Sequence, residues 1–337
     1  MAYEVVGLGN ALMDALVVLD DDSLIDELGL VRGTMHPVDH GRWQQIYEQV
    51  RRHDVVFDSG GSCANTIATL GRLGARALYC GQVGDDQMGR LYASLIERAC
   101  GGHALRFSPT QQTGKCLSII SRSDAERTMV TDLGAAVGLS ELGPFKRTMT
   151  EAKFAHFTGY TLLDGPMQQV VLEGMHAAHA AGTLVSLDAA DPFVVVKTKP
   201  LLMTLLDDYV SVVFLNAEEA HGLTGLAPHA AAVAIGARGA VETVIVKCGA
   251  RGSLVWNGGE LYEVPIKRVN AVDTTGAGDA YAGGYLYGLT RGWPAPRCGA
   301  LATRVAGLAV AQVGAVVKDR AALSQALVEV GEQPLSD

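Results

Sequence analysis

Hydrophobic and polar positions follow two patterns along the chain, and the clearer one begins near residue 150. From there, runs rich in β-branched residues at 183–190, 210–216 and 243–249 alternate with segments long enough to be helices. This alternation is typical of parallel β-α-β units. Residues 3–10 and 75–84 are continuously apolar, which indicates further strands buried on both faces. The pattern predicts an α/β fold built on one central, mostly parallel sheet.

Two segments depart from this pattern. Residues 11–57 are rich in acidic and turn residues, and residues 103–135 contain a hairpin-like pattern around Ser121 to Glu126. We expect both segments to pair into a small β-sheet that covers one edge of the main domain. The rest of the chain forms the expected α/β core, which comprises residues 1–10, 58–102 and 136–337.

Composition and charge exclude several classes of protein. The 337 residues suffice for about two folding units, or one large domain with an appendage. The formal net charge is −9 with no lysine- or arginine-rich block, so neither nucleic acid nor an anionic membrane is an expected partner. Residues 300–317 are nearly apolar, but their charged and polar interruptions predict a buried helix. The N-terminus lacks the features of a secretory signal, and we expect a cytoplasmic protein.

Cysteine and histidine give little indication of a metal centre. The six cysteines form no CxxC motif and no tight cluster, and we interpret them as reduced thiols, mostly buried. His176 and His179 share a helical face near Glu173. A solvated helix surface is the preferred interpretation of these three residues.

Two N-terminal glycine-rich segments are ambiguous. Gly7 and Gly9 follow a strand, but Leu12 stands where a dinucleotide fingerprint needs its third glycine. No Walker A loop is present in the sequence. Residues 60–65 precede a helical pattern that ends at Gly74, and such a glycine pair at a helix start is structural more often than functional.

The segment Asp273-Thr-Thr-Gly-Ala-Gly-Asp279 carries the clearest chemical signal. A strand-like run at 267–272 precedes it and a helical pattern follows it. Its small residues allow consecutive backbone amides to converge at a helix N-terminus, which can hold an anion. A carboxylate at Asp279 would repel phosphate, so its position makes sense if it accepts a proton there.

Together, residues 273–280 and 60–75 resemble the paired signatures of the ribokinase-like (PfkB) carbohydrate and nucleoside kinases, and the resemblance covers essentially the whole chain. It implies a three-layer α/β fold whose central, mostly parallel sheet is flanked by helices and carries ATP along its edge. A small β-sheet lid closes over the phosphate acceptor. Asp279 is then the catalytic base, and the amides of Gly276, Ala277 and Gly278 stabilise the transferring phosphoryl group.

Further motifs resemble the adenosine kinase branch of this family. Residues 9–14 are similar to its GN-x-x-x-D opening, in which the aspartate grips ribose hydroxyls. Tyr160 and Phe193 match positions whose rings contact the nucleobase, although each could simply be a core residue. Residues 131–136 are similar to a lid segment, with Asp132 as an unassigned departure. The acceptor-binding residues implied by the resemblance are Asn10, Leu12, Asp14, Gly60, Gly61, Ser62, Asn65, Tyr160 and Phe193.

The resemblance also implies a nucleotide side. Asn216 and Glu219 match the N-x-x-E motif, which acts on Mg²⁺ largely through water, although an ordinary helix cap has the same pattern. A monovalent cation, K⁺, is implied near Asp273 and a loop at Gly314. The ATP-binding residues implied are Asn216, Lys247, Gly249, Gly252 and Thr275.

These inferences predict an ATP- and Mg²⁺-dependent kinase that phosphorylates the 5′-hydroxyl of a nucleoside, with adenosine the leading acceptor. Its expected partners are ATP and the nucleoside, and it is expected to be a monomer or homodimer. One alternative is a sugar kinase of the same family, of the ribose or fructose type. A second is a catalytically inactive nucleoside sensor, and a third is a Rossmann oxidoreductase that binds NADH.

Overall fold

The computed structural model describes residues 2–124 and 126–335, and its helices and strands alternate along most of the chain. The strands are β1 (Val5–Leu8), β2 (Leu12–Leu19), β3 (Met35–Pro37), β4 (Val56–Gly60), β5 (Ala77–Gly84), β6 (His103–Ser108), β7 (Gly114–Ser121), β8 (Arg127–Asp132), β9 (Phe154–Thr158), β10 (Leu184–Asp188), β11 (Val210–Asn216), β12 (Thr243–Lys247), β13 (Ser253–Asn257) and β14 (Glu260–Val264). The helices are α1 (Ser23–Glu27), α2 (His40–Val50), α3 (Ser62–Arg72), α4 (Gln87–Cys100), α5 (Phe145–Thr150), α6 (Pro166–Ala180), α7 (Pro192–Asp208), α8 (Ala217–Thr224), α9 (Pro228–Gly236), α10 (Ala277–Thr290), α11 (Ala295–Val310) and α12 (Arg320–Val328).

A large sheet forms the centre of the molecule. In the described part of the chain it has nine strands in the order β14-β13-β12-β11-β10-β9-β1-β5-β6, and the run from β12 to β6 is parallel. Strands β13 and β14 add an antiparallel edge. The predicted α/β fold with one mostly parallel sheet is confirmed.

Helices cover both faces of this sheet, which explains why its strands are continuously apolar. In β1, Val5 belongs to the same core as residues of α3, α10 and α11, whereas Val6 and Leu8 belong to a second core with residues of α5 and α6. Successive side chains of a strand point to opposite faces, so each central strand contributes to two cores. These are the three layers that the sequence predicts.

A second, smaller sheet has the order β3-β8-β7-β2-β4. Helices α1 and α2 cover one of its faces through Ile25, Trp43 and Ile46. Strands β7 and β8 are antiparallel, as the hairpin pattern around Ser121 to Glu126 predicts, and one position of that turn, 125, lies outside the described residues.

The expected domain boundaries need correction at two places. Residues 103–108 were expected in the small sheet, but β6 pairs with β5 because α4 and the strands around it form one parallel β-α-β unit. Residues 58–60 were expected in the core, but β4 continues its antiparallel pairing with β2 as far as Gly60.

The strand-like run at 267–272 is also corrected, since it forms neither helix nor strand. Pro265, which lacks a backbone N–H, follows β14 directly, and the chain then leaves the sheet. Val269 and Val272 remain more than 40% exposed. The two valines of this run are therefore not buried as they would be in a central strand.

The six cysteines and the two histidines of α6 have the environments that composition and spacing predict. All six cysteines are free thiols and five of them are buried. His176 and His179 lie on the exposed side of α6, where their rings contact Tyr209. The predicted helix at 300–317 is α11, which ends at Val310. Within residues 2–124 and 126–335 no helix combines the length and apolar character needed to cross a bilayer.

Candidate active site

Five parallel strands end at the same edge of the large sheet, and polar residues lie at or directly after their ends. Asn10 and Tyr160 follow β1 and β9, Asp188 ends β10, Asn216 ends β11 and Lys247 ends β12. Strand order reverses direction on the two sides of β1, and crevices at such switch points are where open α/β sheets bind ligands. The small sheet faces this edge.

Asp279 lies at the centre of this edge, in the first turn of α10. Gly276 precedes the helix with φ +68°, and a Cβ there would lie 2.3 Å from the Cβ of Ala315, so only glycine fits. The Ser62 hydroxyl donates to Asp279 Oδ1 at 2.7 Å, and Asn65 Nδ2 donates to Oδ2 at 2.8 Å. The two predicted glycine-rich segments therefore meet at one carboxylate.

The electrostatic environment of Asp279 suits proton transfer. Burial raises its pKa to about 6, while the hydrogen bonds from Asn65 and Ser62 act in the opposite direction and nearby Asp188 raises it further. A carboxylate with a pKa closer to neutrality is a better proton acceptor than a free aspartate.

The start of α10 next to Asp279 carries positive character. A Cβ at Gly278 would lie 3.0 Å from Lys247 Nζ, so the ammonium group approaches the helix where a side chain is absent. The amide of Ala277 is 3.3 Å from the carbonyl of Thr274, a long hydrogen bond. Helix N-termini attract anions through their partial positive charge, and Lys247 adds a full charge at the same place.

Lys247 neutralises part of an acidic group beside Asp279. Its Nζ contacts Asp188 Oδ2 at 2.8 Å. Burial disfavours the ammonium, but Asp188 and Glu219 outweigh it and raise the pKa of Lys247. Burial, with a contribution from Asp188, raises the pKa of Glu219 to about 7. Three carboxylates thus surround one lysine.

Asn216 and Glu219 form the helix cap that the alternative interpretation of N-x-x-E expects. Glu219 accepts hydrogen bonds from the Asn216 amide at 2.7 Å and from Asn216 Nδ2 at 2.6 Å, and Asn216 Oδ1 accepts from the Glu219 amide at 2.8 Å. The carboxylate therefore leaves little capacity for direct metal ligation. The acidic excess around Lys247 nevertheless fits a hydrated divalent cation, which would reach these residues through water.

Asp273 connects two loops at the start of α10. Its Oδ1 accepts from the Thr275 amide and its Oδ2 from the Gly314 amide, each at 2.9 Å. The structure therefore brings together the two segments for which the resemblance implies K⁺. Arg127 of the small sheet reaches across and donates to the Thr275 hydroxyl.

Asp14 faces the site from the small sheet. It lies opposite Asp58 in the β2–β4 pair, and a Cβ at Gly60 would lie 2.2 Å from its carboxylate. Gly61 has φ +98°, and its Cβ would be 2.1 Å from the carbonyl of Asn10. Burial raises the pKa of Asp14 to about 7, with Arg127 opposing this shift and Asp58 adding to it. The glycine pair serves close packing and also opens α3.

The remaining predicted acceptor-binding residues differ in how deeply they are buried and in their contacts. Asn10 Oδ1 is buried without a hydrogen-bond partner, and Leu12 is half-buried on β2. Tyr160 is half-buried and donates to Asp191 Oδ2 over 3.5 Å. Phe193 is 52% exposed in the first turn of α7, and Lys197 Nζ lies 4.9 Å from its ring centre. Its role in base binding stays a prediction.

The predicted ATP loop borders a cavity of about 550 Å³ at the end of β12, lined by Cys248, Arg251 and Glu263 among others. Gly249 has φ +58° with open space around it, whereas a Cβ at Gly252 would lie 2.2 Å from the carbonyl of Val264. Close approach of the backbone is therefore required at Gly252.

Sequence reasoning assigned no role to several residues of the site. Asp188 is the polar last residue of a buried strand, and that position is itself a signal that could have been used. Arg127 has no comparable signal, since its approach to Thr275 depends on how the two sheets meet. Asp132 contacts Lys115 at 3.6 Å and His40 at 3.4 Å.

Comparisons with known proteins agree with this architecture. The family model described as pfkB family carbohydrate kinase matches residues 36–321. An adenosine kinase of Schizophyllum commune is 26% identical, covering 93% of this chain and 96% of that protein. The structure of adenosine kinase from Sinorhizobium meliloti superimposes with a TM-score of 0.87 at 30% identity, over 98% of this chain and all of that one.

A second solved structure carries a different description. The probable sugar kinase protein from Rhizobium etli CFN 42 gives a TM-score of 0.88 at 30% identity and covers 98% of this chain and 99% of that chain. This molecule therefore combines the family signature, the α/β core, the small sheet and an aspartate in the first turn of α10. The resemblance drawn from residues 60–75 and 273–280 is confirmed. The chain belongs to the pfkB family of carbohydrate kinases.

Proposed function

We propose that this kinase transfers the γ-phosphoryl group of ATP to the 5′-hydroxyl of a nucleoside, with adenosine the foremost acceptor. The observation that carries the proposal is Asp279, a half-buried carboxylate with a raised pKa at the start of α10. It lies between an anion-binding helix terminus and the face of the small sheet that bears Asp14. Phosphoryl transfer needs a proton acceptor and stabilisation of negative charge at one place.

In the proposed reaction, the oxygen of the acceptor hydroxyl bonds to the γ-phosphorus while the bond between that phosphorus and ADP breaks. Asp279 accepts the proton that the hydroxyl loses. Ser62 and Asn65 hold both oxygens of the Asp279 carboxylate and so fix its orientation. The backbone amides of residues 276–278 and the ammonium of Lys247 stabilise charge on the phosphoryl oxygens.

The acceptor is held from the small sheet and from β9. Asp14 and Asn10 supply hydrogen-bond acceptors for ribose hydroxyls, and the orphaned Asn10 Oδ1 is an unused acceptor of this kind. The ring of Tyr160 supplies a face for the base. Stacking of a base on an aromatic ring contributes about 1–3 kcal/mol, which a free sugar would not gain.

The nucleotide side has the charge distribution expected for a metal-bound polyphosphate. When bound, Mg²⁺ neutralises polyphosphate charge. Because the side chains of Asn216 and Glu219 hydrogen-bond to each other, they would contact the ion through its water ligands rather than directly. Asp188 would bind the same hydration shell. We propose K⁺ near Asp273 and the Gly314 loop, where it would steady the segment that precedes α10.

A sugar kinase is the second candidate, and one observation favours it. The Rhizobium etli neighbour, described as a probable sugar kinase, is as similar to this chain as the Sinorhizobium adenosine kinase. Asp14 could grip the hydroxyls of either acceptor. An inactive nucleoside sensor is disfavoured by the complete arrangement of Asp279, Ser62 and Asn65.

The deciding experiment measures ATP consumption with adenosine, guanosine, ribose and fructose, using the Asp279→Asn variant as a control for contaminating kinases. We expect turnover with adenosine to exceed that with either sugar, and the product to be the 5′-monophosphate. Faster turnover of ribose or fructose would establish the sugar kinase instead. Nucleoside binding without ATP consumption would establish the sensor.

A further inference from the structure

A strained turn connects two carboxylates at the end of β10. Among residues 2–124 and 126–335, Ala190 is the one non-glycine residue with positive φ, at +75°. The Asp191 amide donates to the Ala189 carbonyl at 3.0 Å and closes a three-residue turn around it. Such a backbone conformation is unfavourable and persists only where the surroundings impose it.

The surroundings that impose this turn belong to the site. The Ala190 amide donates to Asp188 Oδ1 at 3.0 Å, and the other oxygen of Asp188 contacts Lys247. A Cβ at Gly159 would lie 2.3 Å from the carbonyl of Ala189, so β9 packs tightly against the same turn. The backbone that carries Asp191 is therefore fixed from both sides.

The two oxygens of Asp191 are used unequally. Oδ1 accepts from the Phe193 amide at 2.7 Å and caps α7. Oδ2 accepts only a long contact of 3.5 Å from the Tyr160 hydroxyl, which is at the limit of a hydrogen bond. Asp191 is half-buried, so this oxygen lies partly desolvated at the outer end of the Tyr160 ring with acceptor capacity to spare.

We propose that Asp191 is a specificity-determining residue, whose Oδ2 accepts a hydrogen bond from an amino group on the edge of a base stacked on Tyr160. The proposal rests on the proposed nucleoside function and narrows its acceptor to amino-substituted bases. Oδ2 lies at the end of the ring on which the base would stack, and thus beside the edge of that base.

The chemistry of the group decides which bases it accepts. An ionised carboxylate is an acceptor only, so it attracts an N–H donor and repels a carbonyl oxygen. A hydrogen bond to a charged group is stronger than one between neutral groups, and the partial exposure of Asp191 limits the gain. We therefore expect the amino group to improve kcat/KM about tenfold.

Adenosine and purine riboside provide the test, because they differ only by the amino group. In the wild-type enzyme, kcat/KM for adenosine should exceed that for purine riboside about tenfold. In Asp191→Ser this ratio should fall to within about twofold of one, while serine still caps α7. Asp191→Asn keeps a carbonyl acceptor and the cap, and should restore part of the preference. Thermal melting of each variant verifies that it folds.

Two outcomes would overturn the proposal while leaving the nucleoside function intact. One is a wild-type enzyme that uses the two nucleosides equally well. The other is an Asp191→Ser enzyme in which both kcat/KM values fall by the same factor, because Asp191 would then act only by positioning Tyr160 or α7. Phosphorylation of sugars with no turnover of either nucleoside would overturn the proposed function as well.

Discussion

The two sides of Asp279 both contain carboxylates, but they balance that charge differently. On the nucleotide side, Lys247 lies within 2.8 Å of Asp188 and has a raised pKa. On the acceptor side, Asp14 faces another aspartate, Asp58, and has a pKa raised to about 7. The cation on the nucleotide side is thus largely buried, whereas the one on the acceptor side is the exposed Lys318, which pairs with Asp58.

This difference indicates what each side binds. A lysine next to a helix N-terminus provides fixed positive charge for phosphate oxygens, and the remaining acidic excess suits a hydrated cation. A half-buried carboxylate such as Asp14 instead suits a neutral molecule with hydroxyl donors, since a hydroxyl can donate to it in place of water. Under the proposed function, this charge distribution would separate a polyanionic donor from an uncharged acceptor, with Asp279 between them.

Removing the group that joins the two sides should have the largest effect. Asp279→Asn keeps the shape and removes the base, so kcat should fall by about 10²–10⁴-fold. Adenosine binding, measured by calorimetry, should persist because Asp14 and Tyr160 are unchanged. With chemistry shown to be rate-limiting, a variant that retains more than about a tenth of wild-type turnover would rule out Asp279 as the base.

The second prediction changes the acceptor side alone. Tyr160→Ala should raise the KM for adenosine by a factor corresponding to about 1–3 kcal/mol, through loss of stacking. The KM for ATP should barely change, because Tyr160 follows β9 whereas Lys247 ends β12. Tyr160→Phe is the matched control, since it keeps the ring. An unchanged adenosine KM in folded Tyr160→Ala would make Tyr160 a core residue.

The third prediction changes the nucleotide side alone. Glu219→Gln keeps the bond from its own amide to Asn216 Oδ1 and one acceptor oxygen for Asn216, but it loses the second acceptor and a negative charge near Asp188. The Mg²⁺ concentration for half-maximal activity should rise by up to about tenfold, the lower range for groups that act on a metal indirectly. Adenosine binding without ATP should be unaffected. A magnesium titration that superimposes on that of the wild type would leave this pair as a cap only.

The last prediction concerns stability and follows from the raised pKa of Asp14. Because folding raises this pKa from 3.8 to about 7, ionisation of Asp14 opposes folding, and the loss of stability develops as pH rises from about 4 to 7. Asp14→Asn should therefore be more stable than the wild type at pH 8 by about 1–3 kcal/mol, since one pKa unit corresponds to about 1.4 kcal/mol.

Urea denaturation at pH 8 and pH 4 checks this prediction, and the difference should vanish at pH 4. Asp58→Asn is the matched control from the neighbouring strand. It loses a partly exposed ion pair with Lys318, whose atoms are 2.7 Å apart, so it should gain less stability at pH 8 than Asp14→Asn. An equal gain in both variants would show that the strand pair, rather than burial of Asp14, causes the shift.

Much of the fold was predictable because the central strands carry local signals. The runs at 183–190, 210–216 and 243–249 all contain strands of the large sheet, since burial on both faces requires continuous apolar sequence. The boundaries of the small sheet were harder to predict from the sequence. Whether 103–108 joins one sheet or the other depends on the partner strand, which local sequence does not specify.

The candidate site was predictable where a backbone requirement fixes the residue type. Gly276 and Gly61 have positive φ and no room for a Cβ, so the backbone geometry requires glycine at these positions of the two signatures. Arg127 and Lys318 reach the site only after the two sheets meet, and no spacing along the chain reveals that. Asp191 follows Ala190, which has a positive φ. Residue propensity alone would not predict that conformation for an alanine.

The pairing of β2 with β7 has a consequence for how the protein folds. These strands are parallel neighbours at the centre of the small sheet, with Leu12 opposite Gly114 and four other strands between them in sequence. Contacts between residues so far apart require the closure of a long loop, and topologies rich in them fold slowly. Since β5 and β6 of the large sheet lie within that loop, the small sheet is not an independent module. Its assembly, and with it the position of Asp14, requires closure of a loop that contains two strands of the core.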